Sequence, residues 1–594
     1  MKIPGGDSKR DKNRRVDFFL ELIEKCRVSR VERRQEYTSR RMYWLYGSDG
    51  SYENEDTDLG LGPPPGNKIW PHVDQLTSFL YSQDTTRFST ELGAKVKGLF
   101  QNWVPKCNER VNEEWHNSNT DITFGAALTL ALVYDSTLIK PLWKKTGMMP
   151  GIVLPHNFGV LREDVAGLHK QEAFCHWYTI TPTQFRNDFK EVLGNTFEKK
   201  FEKLSKRSEG SHLDSQEAGL DRIIMSSQDP LGTGGQPGSG VAVVDWLASV
   251  SMNYVPRVRD ELIEMVELYL WDDELKDYRL VTIADPDVYC IDRPLARVGY
   301  LANEVPFIQI CPNPDPNYFW GISEVERLIP SQVQRNRMMA QIEHLIDLQA
   351  HAPSTAVGFP GDLSEVQYAL DTPMGFLNQP DPAGQGGQVK ADRIKIEVPS
   401  DIWARLDRND QMFEDMSGLP PITQGKNPAG VRAGGHAMDL AKLGSSRARK
   451  RAMIIEDALE ALATVYLKLM RKYDDTVLAA PLDPRKVQKT EDFVLNQLPD
   501  DFTVKVDAHS NSPIFVDDQT ALAFQLFKAK AITRERLLEM VPVSQRAQLI
   551  ADLHNVIEPQ EAEAAAKEQQ IEMARAQGRE GGRPKRPNGG PPAQ

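Results

Sequence analysis

The sequence has few cysteines, no long apolar run and none of the spaced motifs that mark common enzyme sites. Its five cysteines are odd in number, widely scattered and contain no C-x-x-C pair. This usage is typical of a reducing compartment and argues against a disulfide framework or a cysteine zinc site. The mean hydropathy of −0.47 and the lack of an apolar run predict no transmembrane helix. The basic start of the chain predicts no signal peptide.

A nucleotide-binding loop is also missing. That motif needs four residues between its glycines and a Ser or Thr after its lysine, so that amides and lysine hold phosphates while the hydroxyl binds magnesium. The nearest stretch, Gly418 to Lys426, has six residues between its glycines and is followed by Asn427. No H-E-x-x-H, G-x-S-x-G or zinc-spaced Cys/His pattern occurs. The sequence therefore predicts no enzyme, no catalytic residue, no metal site and no cofactor.

Length and charge bound the kinds of partner. A chain of 594 residues is expected to form roughly three to five domains. The net charge is −13, although residues 1–41 carry 13 Lys/Arg against 7 Asp/Glu. An acidic protein does not wrap a polyanion by charge attraction. A contact with nucleic acid is therefore expected to be local or weak.

Hydrophobic periodicity predicts an α+β chain that is mainly helical, with small β blocks between long helices. The polar stretch 195–240 and the segment 474–486 are expected to lack regular structure. In the helix that starts near Pro71, Ile69 and Trp70 are both expected to face inward. The other predicted helices cover 16–42, 100–117, 121–134, 182–192, 323–350, 400–416 and 435–473, and the predicted strands cover 136–145, 151–155, 266–271, 278–283, 288–293, 393–398 and 502–508.

The stretch 416–473 combines a loop with a very long helix. Proline and glycine in MSGLPPITQGKNPAGVRAGG predict a loop, and apolar residues at helical spacing predict a helix from about Gly435. At 1.5 Å per residue that helix would be about 55–60 Å long, well above the globular average. The loop carries Lys426 and Arg432. Two cations in a loop are weak evidence by themselves, and the basic run 447–451 has the simpler interpretation of a solvated helix face.

Five pieces of sequence follow one another in a fixed order. They are NKIWPHVDQLTSFL, DITFGAALTLALVYDSTLIKPLW, a segment ending in VPFIQICPNPDPNYFWGISEVERLIPSQVQRNRMMAQIEHL, a small mixed segment, and MSGLPPITQGKNPAGVRAGGHAMDLAKLGSSRARKRAMIIEDALEAL. Over roughly residues 15–510 the chain resembles the portal (head–tail connector) proteins of tailed double-stranded DNA bacteriophages. The distinctive features are Trp320, Gly321 and Ser323 at the entry to the first long helix, Gln334 and Asn336 on that helix, and the Gly418–Pro420 loop before the second.

The resemblance implies a portal-type ring subunit, in a ring of twelve copies at one capsid vertex of a virion assembled in the host cytoplasm. Double-stranded DNA would be packaged and ejected through the channel of that ring. The implied regions are a wing (1–317), a stem helix (318–350), a clip (351–398), a second stem helix (399–416), a tunnel loop (417–434), a long helix returning to the wing (435–514), a helical crown (515–578) and a disordered basic tail (579–594).

The resemblance also implies partners and DNA-facing residues. Besides identical subunits and DNA, the partners are the terminase large subunit, the major capsid and scaffolding proteins, and the head–tail adaptor and tail proteins, with no membrane. The implied DNA-facing residues of the tunnel loop are Gln424, Lys426, Asn427 and Arg432, and a secondary basic patch would comprise Arg447, Arg449, Lys450 and Arg451.

Two other classes of function stay open at this point. One is a large structural or scaffold protein of a virion without direct DNA contact. The other is an enzyme, such as a packaging ATPase or a nuclease, and the missing phosphate-binding loop argues against the ATPase.

Overall fold

The computed structural model has an α+β fold of long helices and small antiparallel sheets. It describes residues 3, 9–48, 66–82, 86–144, 147–210, 263–284, 288–298, 300–301, 304–350, 354–357, 364, 368, 390–393, 399–417, 446–483, 486–506, 522–534, 537–538, 541, 549, 553 and 567. The helices are α1 (Lys9–Glu32), α2 (Arg34–Tyr46), α3 (Ile69–Leu80), α4 (Lys97–Phe100), α5 (Val104–Asn117), α6 (Thr120–Tyr134), α7 (Pro182–Leu193), α8 (Phe197–Gly210), α9 (Leu295–Val298), α10 (Glu324–Ala350), α11 (Ser400–Ser417) and α12 (Ser446–Tyr473). The strands are β1 (Phe88–Leu92), β2 (Thr137–Lys144), β3 (Gly147–Val153), β4 (Phe158–Val160), β5 (Ala173–Ile180), β6 (Ile263–Asp272), β7 (Asp277–Ala284), β8 (Val288–Pro294), β9 (Ile308–Ile310), β10 (Ser354–Val357), β11 (Lys390–Arg393), β12 (Val477–Asp483), β13 (Lys486–Val494) and β14 (Phe502–Val506).

A five-stranded antiparallel sheet, in the order β4-β5-β6-β7-β8, is buried on both faces. Side chains alternate along a strand, so the neighbours Leu268 and Tyr269 on β6 point to opposite faces. Leu268 packs in one cluster with Phe19 and Leu22 of α1, whereas Tyr269 packs against Phe307. A strand that is buried on both faces is apolar at nearly every position. The sequence VELYLW of β6 has this property, and it was the basis on which the strand was predicted.

Helix α6 lies in a second, mainly helical core. Its sequence is apolar nearly all round, which is typical of a buried helix. Helix α12 packs into the same core through one face, where Leu459, Leu462 and Tyr466 are fully buried. The hydroxyls of Tyr466 and Thr120 are hydrogen-bonded at 2.7 Å. The predicted long helix is confirmed over the bounds of α12, and its expected start lies outside the described residues.

Two small sheets complete this core. The predicted hairpin of β2 and β3 is confirmed, and β9 pairs with the other edge of β2. Strand β14 is confirmed as well, but its partner β1 was not predicted. The two pair antiparallel, with Phe88 opposite Val506 and Leu92 opposite Phe502. The sequence FSTEL of β1 is short and weakly apolar, so its strand conformation depends on that distant partner.

The single helix predicted over 16–42 is wrong, because the chain forms two helices there. Helix α1 packs on β4 and β5, whereas α2 packs on α6 and α10. The break falls at Arg33, which is buried and places its guanidinium 2.5 Å from the carboxylate of Asp135. The apolar periodicity predicted one continuous helix because both helices are amphipathic. The two helices nevertheless pack in different cores.

Regular structure also occurs in two segments where none was expected. Helix α8 occupies the start of the stretch 195–240, because Phe201 stacks beside Phe185 of α7 at 6.4 Å. Strand β12 occupies most of 474–486 and pairs antiparallel with β13. Pro481 of β12 is tolerated because both strands of a two-stranded sheet are edge strands, where a residue without a backbone N–H donor can be accommodated. In both cases tertiary packing overrides local polarity.

One finer prediction is wrong, and another is tested at a single residue. Ile69 is buried as expected, but Trp70 is 47% exposed and stacks on Trp44 with ring centroids 5.5 Å apart. Strand β11 ends at Arg393, so it includes only the first residue of the predicted strand 393–398. The rest of that segment lies outside the described residues.

Leu459→Ala tests how far the second core depends on α12. Leu459 is fully buried, so we expect the free energy of unfolding to fall by about 3 kcal/mol through lost burial and a cavity. Met453→Ala on the same helix is the matched control, because Met453 is 54% exposed and should change stability by less than about 0.5 kcal/mol. Urea unfolding followed by circular dichroism measures both variants, and equal losses would contradict the packing described here.

Candidate functional site

The implied tunnel-loop residues Gln424, Lys426, Asn427 and Arg432 lie outside the described residues. The described chain brackets them, with α11 ending at Ser417 and α12 beginning at Ser446. The site is therefore built from the two helices that precede this segment and the one that follows it.

Helices α10 and α11 run antiparallel as a pair. Near the start of α10, the backbone carbonyl of Ser331 accepts a hydrogen bond from the Asn409 side chain at 3.2 Å, and the Ser331 hydroxyl lies 3.5 Å from the sulfur of Met416. Farther along α10, Met338 and Ile342 cluster with Leu406. Rising positions on α10 thus meet falling positions on α11, so the end of α11 lies beside the start of α10.

The two ends of this pair are held differently. At the end near Met416, Phe413 packs into the main helical core and lies edge-on to His72, and Asp410 makes ion pairs with Lys68 and Arg335. The other half of the pair has a small cluster of its own, formed by Met338, Ile342, Leu406, Met339 and Ile402. The pair therefore has one end anchored in the body and a far half supported mainly by its own packing.

Large apolar side chains on this pair remain exposed in the single chain. Trp403 is 48% and Met412 50% exposed on α11, and Ile346 is 47% exposed on α10. Successive helix residues are turned by about 100°, so Trp403 and Met412 flank the buried face of α11 on opposite sides. The signal was present in the sequence, since Trp403 and Met412 fall outside the apolar stripe that contains Leu406 and Phe413.

A buried carboxylate joins this pair to the long helix. Glu324, at the start of α10, is 1% exposed and accepts from the guanidinium of Arg451 on α12 at 2.8 Å. His72 of α3 places its Nε2 3.5 Å from the same carboxylate. Burial acts to raise the pKa of Glu324, but His72 and Arg451 outweigh it, so this pKa lies below its usual value. The carboxylate is therefore charged near neutral pH and links three helices.

The predicted start of α10 at Ser323 is confirmed. Ser323 is fully buried, its hydroxyl accepts from the backbone amide of Glu326 at 3.2 Å, and it donates to the carbonyl of Val133 at 2.6 Å. The carboxylate of Glu326, in the first turn of the helix, accepts a hydrogen bond from the guanidinium of Arg40 at 2.7 Å. Ser323 thus caps the helix and also ties it to the end of α6.

A second buried carboxylate lies beside this helix start. Asp135 is 1% exposed and contacts the guanidinium groups of Arg33 at 2.5 Å and Arg40 at 3.0 Å. Burial raises the pKa of Asp135 to about 7, against the lowering effect of the two arginines. The Arg33 guanidinium also lies over the ring of Trp320 at 4.8 Å. The tryptophan of the Trp-Gly entry to α10 is therefore part of this junction.

The four residues of the secondary basic patch do not form one exposed surface. Lys450 is exposed and Arg449 is partly buried. Arg451 is buried in its ion pair with Glu324, so it faces the interior. The side chain of Arg447 lies outside the described residues.

A further buried charge pair in the described part of the chain holds two sheets together. A search of the described residues finds no group of His, Cys, Asp or Glu that could hold a metal ion. The most deeply buried charge pair outside the helix junction joins Lys140 to Glu267 at 2.5 Å, and Tyr269 donates to the same carboxylate at 2.7 Å. It connects β2 to β6, so it holds two sheets together. No helix in the described ranges is long and apolar enough to span a membrane.

No family model matches the chain, and no curated protein matches it either. Among solved structures it is similar to a chain from the virion of a native gene transfer agent (GTA) particle, with a TM-score of 0.37 and 8% identity over 83% of this chain and 93% of that chain. A second is from the neck of an empty GTA particle computed with C6 symmetry, with a TM-score of 0.36 and 9% identity over the same shares. TM-scores this low describe a loose likeness, so the function proposed below rests on the chain's own residues.

Glu324→Gln tests the helix junction and its pH dependence. A neutral side chain leaves the Arg451 charge uncompensated in the interior, so we expect a loss of about 3 kcal/mol at pH 7. Because the folded-state pKa of Glu324 is lowered, its stabilising effect is present above the unfolded-state pKa and disappears as pH falls through the folded-state value. Urea unfolding between pH 7 and pH 3 should therefore show a smaller acid-induced loss in the variant than in the parent chain.

Glu326→Gln is the control for this measurement. Glu326 has the same charge and lies on the same helix turn, but its side chain is 54% exposed. Its loss should cost less than about 1 kcal/mol. A Glu324 variant that matched this control in size and pH profile would contradict a structural role for the buried carboxylate.

Proposed function

We propose that the chain is a phage portal protein, a ring-forming conduit at one capsid vertex through which double-stranded DNA is packaged and ejected. Ring subunits of this kind bind the terminase motor during packaging and then the adaptor and tail proteins. The observation that carries the proposal is the α10–α11 pair. The distinctive sequence features of the portal resemblance lie on or next to this pair. The chain after α11 leaves the pair at one end, and the chain that joins α10 to α11 lies at the other end.

The separation follows from the contacts of the pair. The described residues that precede and follow the implied tunnel loop lie at the anchored end, because Met416 contacts Ser331 and Arg451 binds Glu324. The chain between Ala350 and Ser400 leaves and returns at the far end. That segment, which includes the antiparallel pair β10–β11, is the implied clip. A portal stem needs the DNA-facing loop at one end and the clip, which binds the motor and the adaptor, at the other end.

The exposed apolar residues of the pair support ring formation. Trp403, Met412 and Ile346 are each about half exposed, which is costly for side chains of this size without a partner. Trp403 and Met412 flank the pair on opposite sides. A closed ring has heterologous contacts, in which one side of a subunit meets the other side of its neighbour. Residues on both flanks could therefore be covered at once.

The charge of the chain suits passage of DNA. A net charge of −13 disfavours tight wrapping of a polyanion, and a few cations on a loop give contacts that are weak and screened by salt. DNA could then slide through the channel. The sequence carries no nucleotide-binding loop, so translocation would be driven by a separate ATPase, the terminase large subunit.

A virion structural or scaffold protein without DNA contact is the second candidate. It shares the exposed helix pair, and it differs only in what the segment between Ser417 and Ser446 does. A packaging ATPase or nuclease is disfavoured by the sequence, and an ATPase assay on the isolated protein checks this directly.

Electron microscopy of the purified full-length chain tests ring formation. We expect rings with a central channel, and a monodisperse monomer at high concentration would contradict the proposal. In Trp403→Asp, a charge replaces an aromatic anchor of the subunit contact, so we expect the ring fraction at a fixed concentration to fall about tenfold or more. Trp70→Asp is the matched control because Trp70 is 47% exposed but lies off the helix pair, and it should still form rings.

The double variant Lys426→Ala with Arg432→Ala tests the DNA contact. The variant chain should assemble into rings as the parent does, because neither residue belongs to the described helix pair. Particles built with it should package or retain DNA abnormally, which is measured as the protected DNA per particle. Normal packaging with intact rings would remove the tunnel-loop assignment and favour the scaffold alternative. The exposed cation Lys450 provides a control in Lys450→Ala, which should package normally.

A further inference from the structure

Two of the five cysteines meet where α1 lies on the five-stranded sheet. Cys26 is on α1 and Cys175 on β5, and both are fully buried in the same apolar cluster. The other three cysteines lie elsewhere. Cys107 is in the main helical core, Cys290 packs with the α7 and α8 aromatics, and the thiol of Cys311 faces the carbonyl of Trp320.

A glycine brings the two cysteines together. Gly159 of β4 is directly opposite Cys175 of β5 in the antiparallel register. A side chain at Gly159 would place its Cβ only 2.5 Å from the carbonyl oxygen of Cys26. The bare backbone of Gly159 therefore leaves room for the backbone of α1 at Cys26, beside the cross-strand neighbour Cys175. The pKa of the Cys175 thiol is raised by burial and also by the neighbouring thiol of Cys26.

We propose that Cys26 and Cys175 are a redox-sensitive pair that forms a disulfide when the chain meets a disulfide oxidant. In the docked state both thiols are shielded, and burial raises the pKa of Cys175 well above its ordinary value. The pair therefore stays reduced and unreactive in a reducing compartment. Oxidation requires α1 to lift from the sheet and expose Cys26.

The chemistry is two successive thiol–disulfide exchanges. With oxidised glutathione, the thiolate of Cys26 attacks one sulfur, the glutathione S–S bond breaks, and one glutathione thiolate leaves. Before α1 has fully docked again, the thiolate of Cys175, still open to solvent, attacks the Cys26 sulfur of the mixed disulfide and expels the second glutathione thiolate. Two protein thiols become one disulfide, and one glutathione disulfide becomes two thiols after the thiolates take up the released protons.

The consequence is a covalent lock on the amino-terminal helix. Helix α1 is held to the sheet by Phe19, Leu22 and Ile23 as well as Cys26, and by an ion pair of Arg15 with Asp292 at 3.7 Å. All these contacts are reversible. A link from Cys26 to Cys175 would prevent α1 from leaving the sheet even when they break, and it would close a long loop of the chain.

Non-reducing peptide mapping of the full-length chain tests the pair. The reduced protein is incubated with oxidised glutathione in mild urea, remaining thiols are alkylated, and cross-linked peptides are identified by mass spectrometry. We expect a Cys26–Cys175 peptide in the parent chain and in the control Cys290→Ala, and none in Cys26→Ala. A mapped disulfide that joins other cysteines, a stable glutathione adduct on Cys26 alone, or two free thiols at both positions would overturn the proposal.

Hydrogen exchange of the parent chain gives a second readout that does not need a variant to fold. Amides of α1 exchange when the helix opens, so the oxidised chain should exchange them about tenfold or more slowly than the reduced chain. Amides of α12, which lies in another core, should be unchanged and serve as the internal control. Equal α1 exchange in the two redox states would overturn the lock.

Discussion

The carboxylate of Glu324 is the contact on which the arrangement of the long helices depends. It lies in the first turn of α10, and its partners come from α3 and α12. Removing such a charge from water is costly, and the approach of Arg451 and His72 to the same carboxylate compensates this cost. The directions in which α10 and α12 leave this point are therefore coupled. The segment between α11 and α12 starts and ends beside the same junction.

Element type was largely predictable from the sequence. Apolar periodicity identified α6, α7, α10, α11 and α12 and three strands of the five-stranded sheet, β6, β7 and β8, because each has one strongly patterned or continuously apolar segment. The other two strands of that sheet, β4 and β5, were not predicted. It failed where a segment depends on a distant partner. Strand β1 is weakly apolar and exists through β14, and β12 contains a proline but pairs with β13. The break at Arg33 was invisible because it is set by Asp135, far along the chain.

The candidate site was predictable in a different way. The resemblance to portal proteins predicted the helix pair, and its two helices are confirmed as α10 and α11. The loop that it also predicted lies outside the described residues. The resemblance could not identify Glu324 as the junction, because a glutamate in the first turn of a helix is ordinarily a solvated residue that favours the helix dipole. It also assigned Arg451 to a basic surface, whereas the fold turns this residue inward. Burial of a charge is decided by tertiary contacts, which local sequence does not encode.

The pairing of β1 with β14 has a consequence for the order in which the chain is made. Phe88 lies in the first fifth of the sequence, and its partner Val506 lies near the end. Strand β14 also packs on α12, so the main helical core lacks one wall until that strand has been synthesised. Contacts this distant in sequence form slowly and leave apolar surface exposed in the meantime. During synthesis, premature association of unfinished chains is thus a greater hazard than for a protein whose core closes locally.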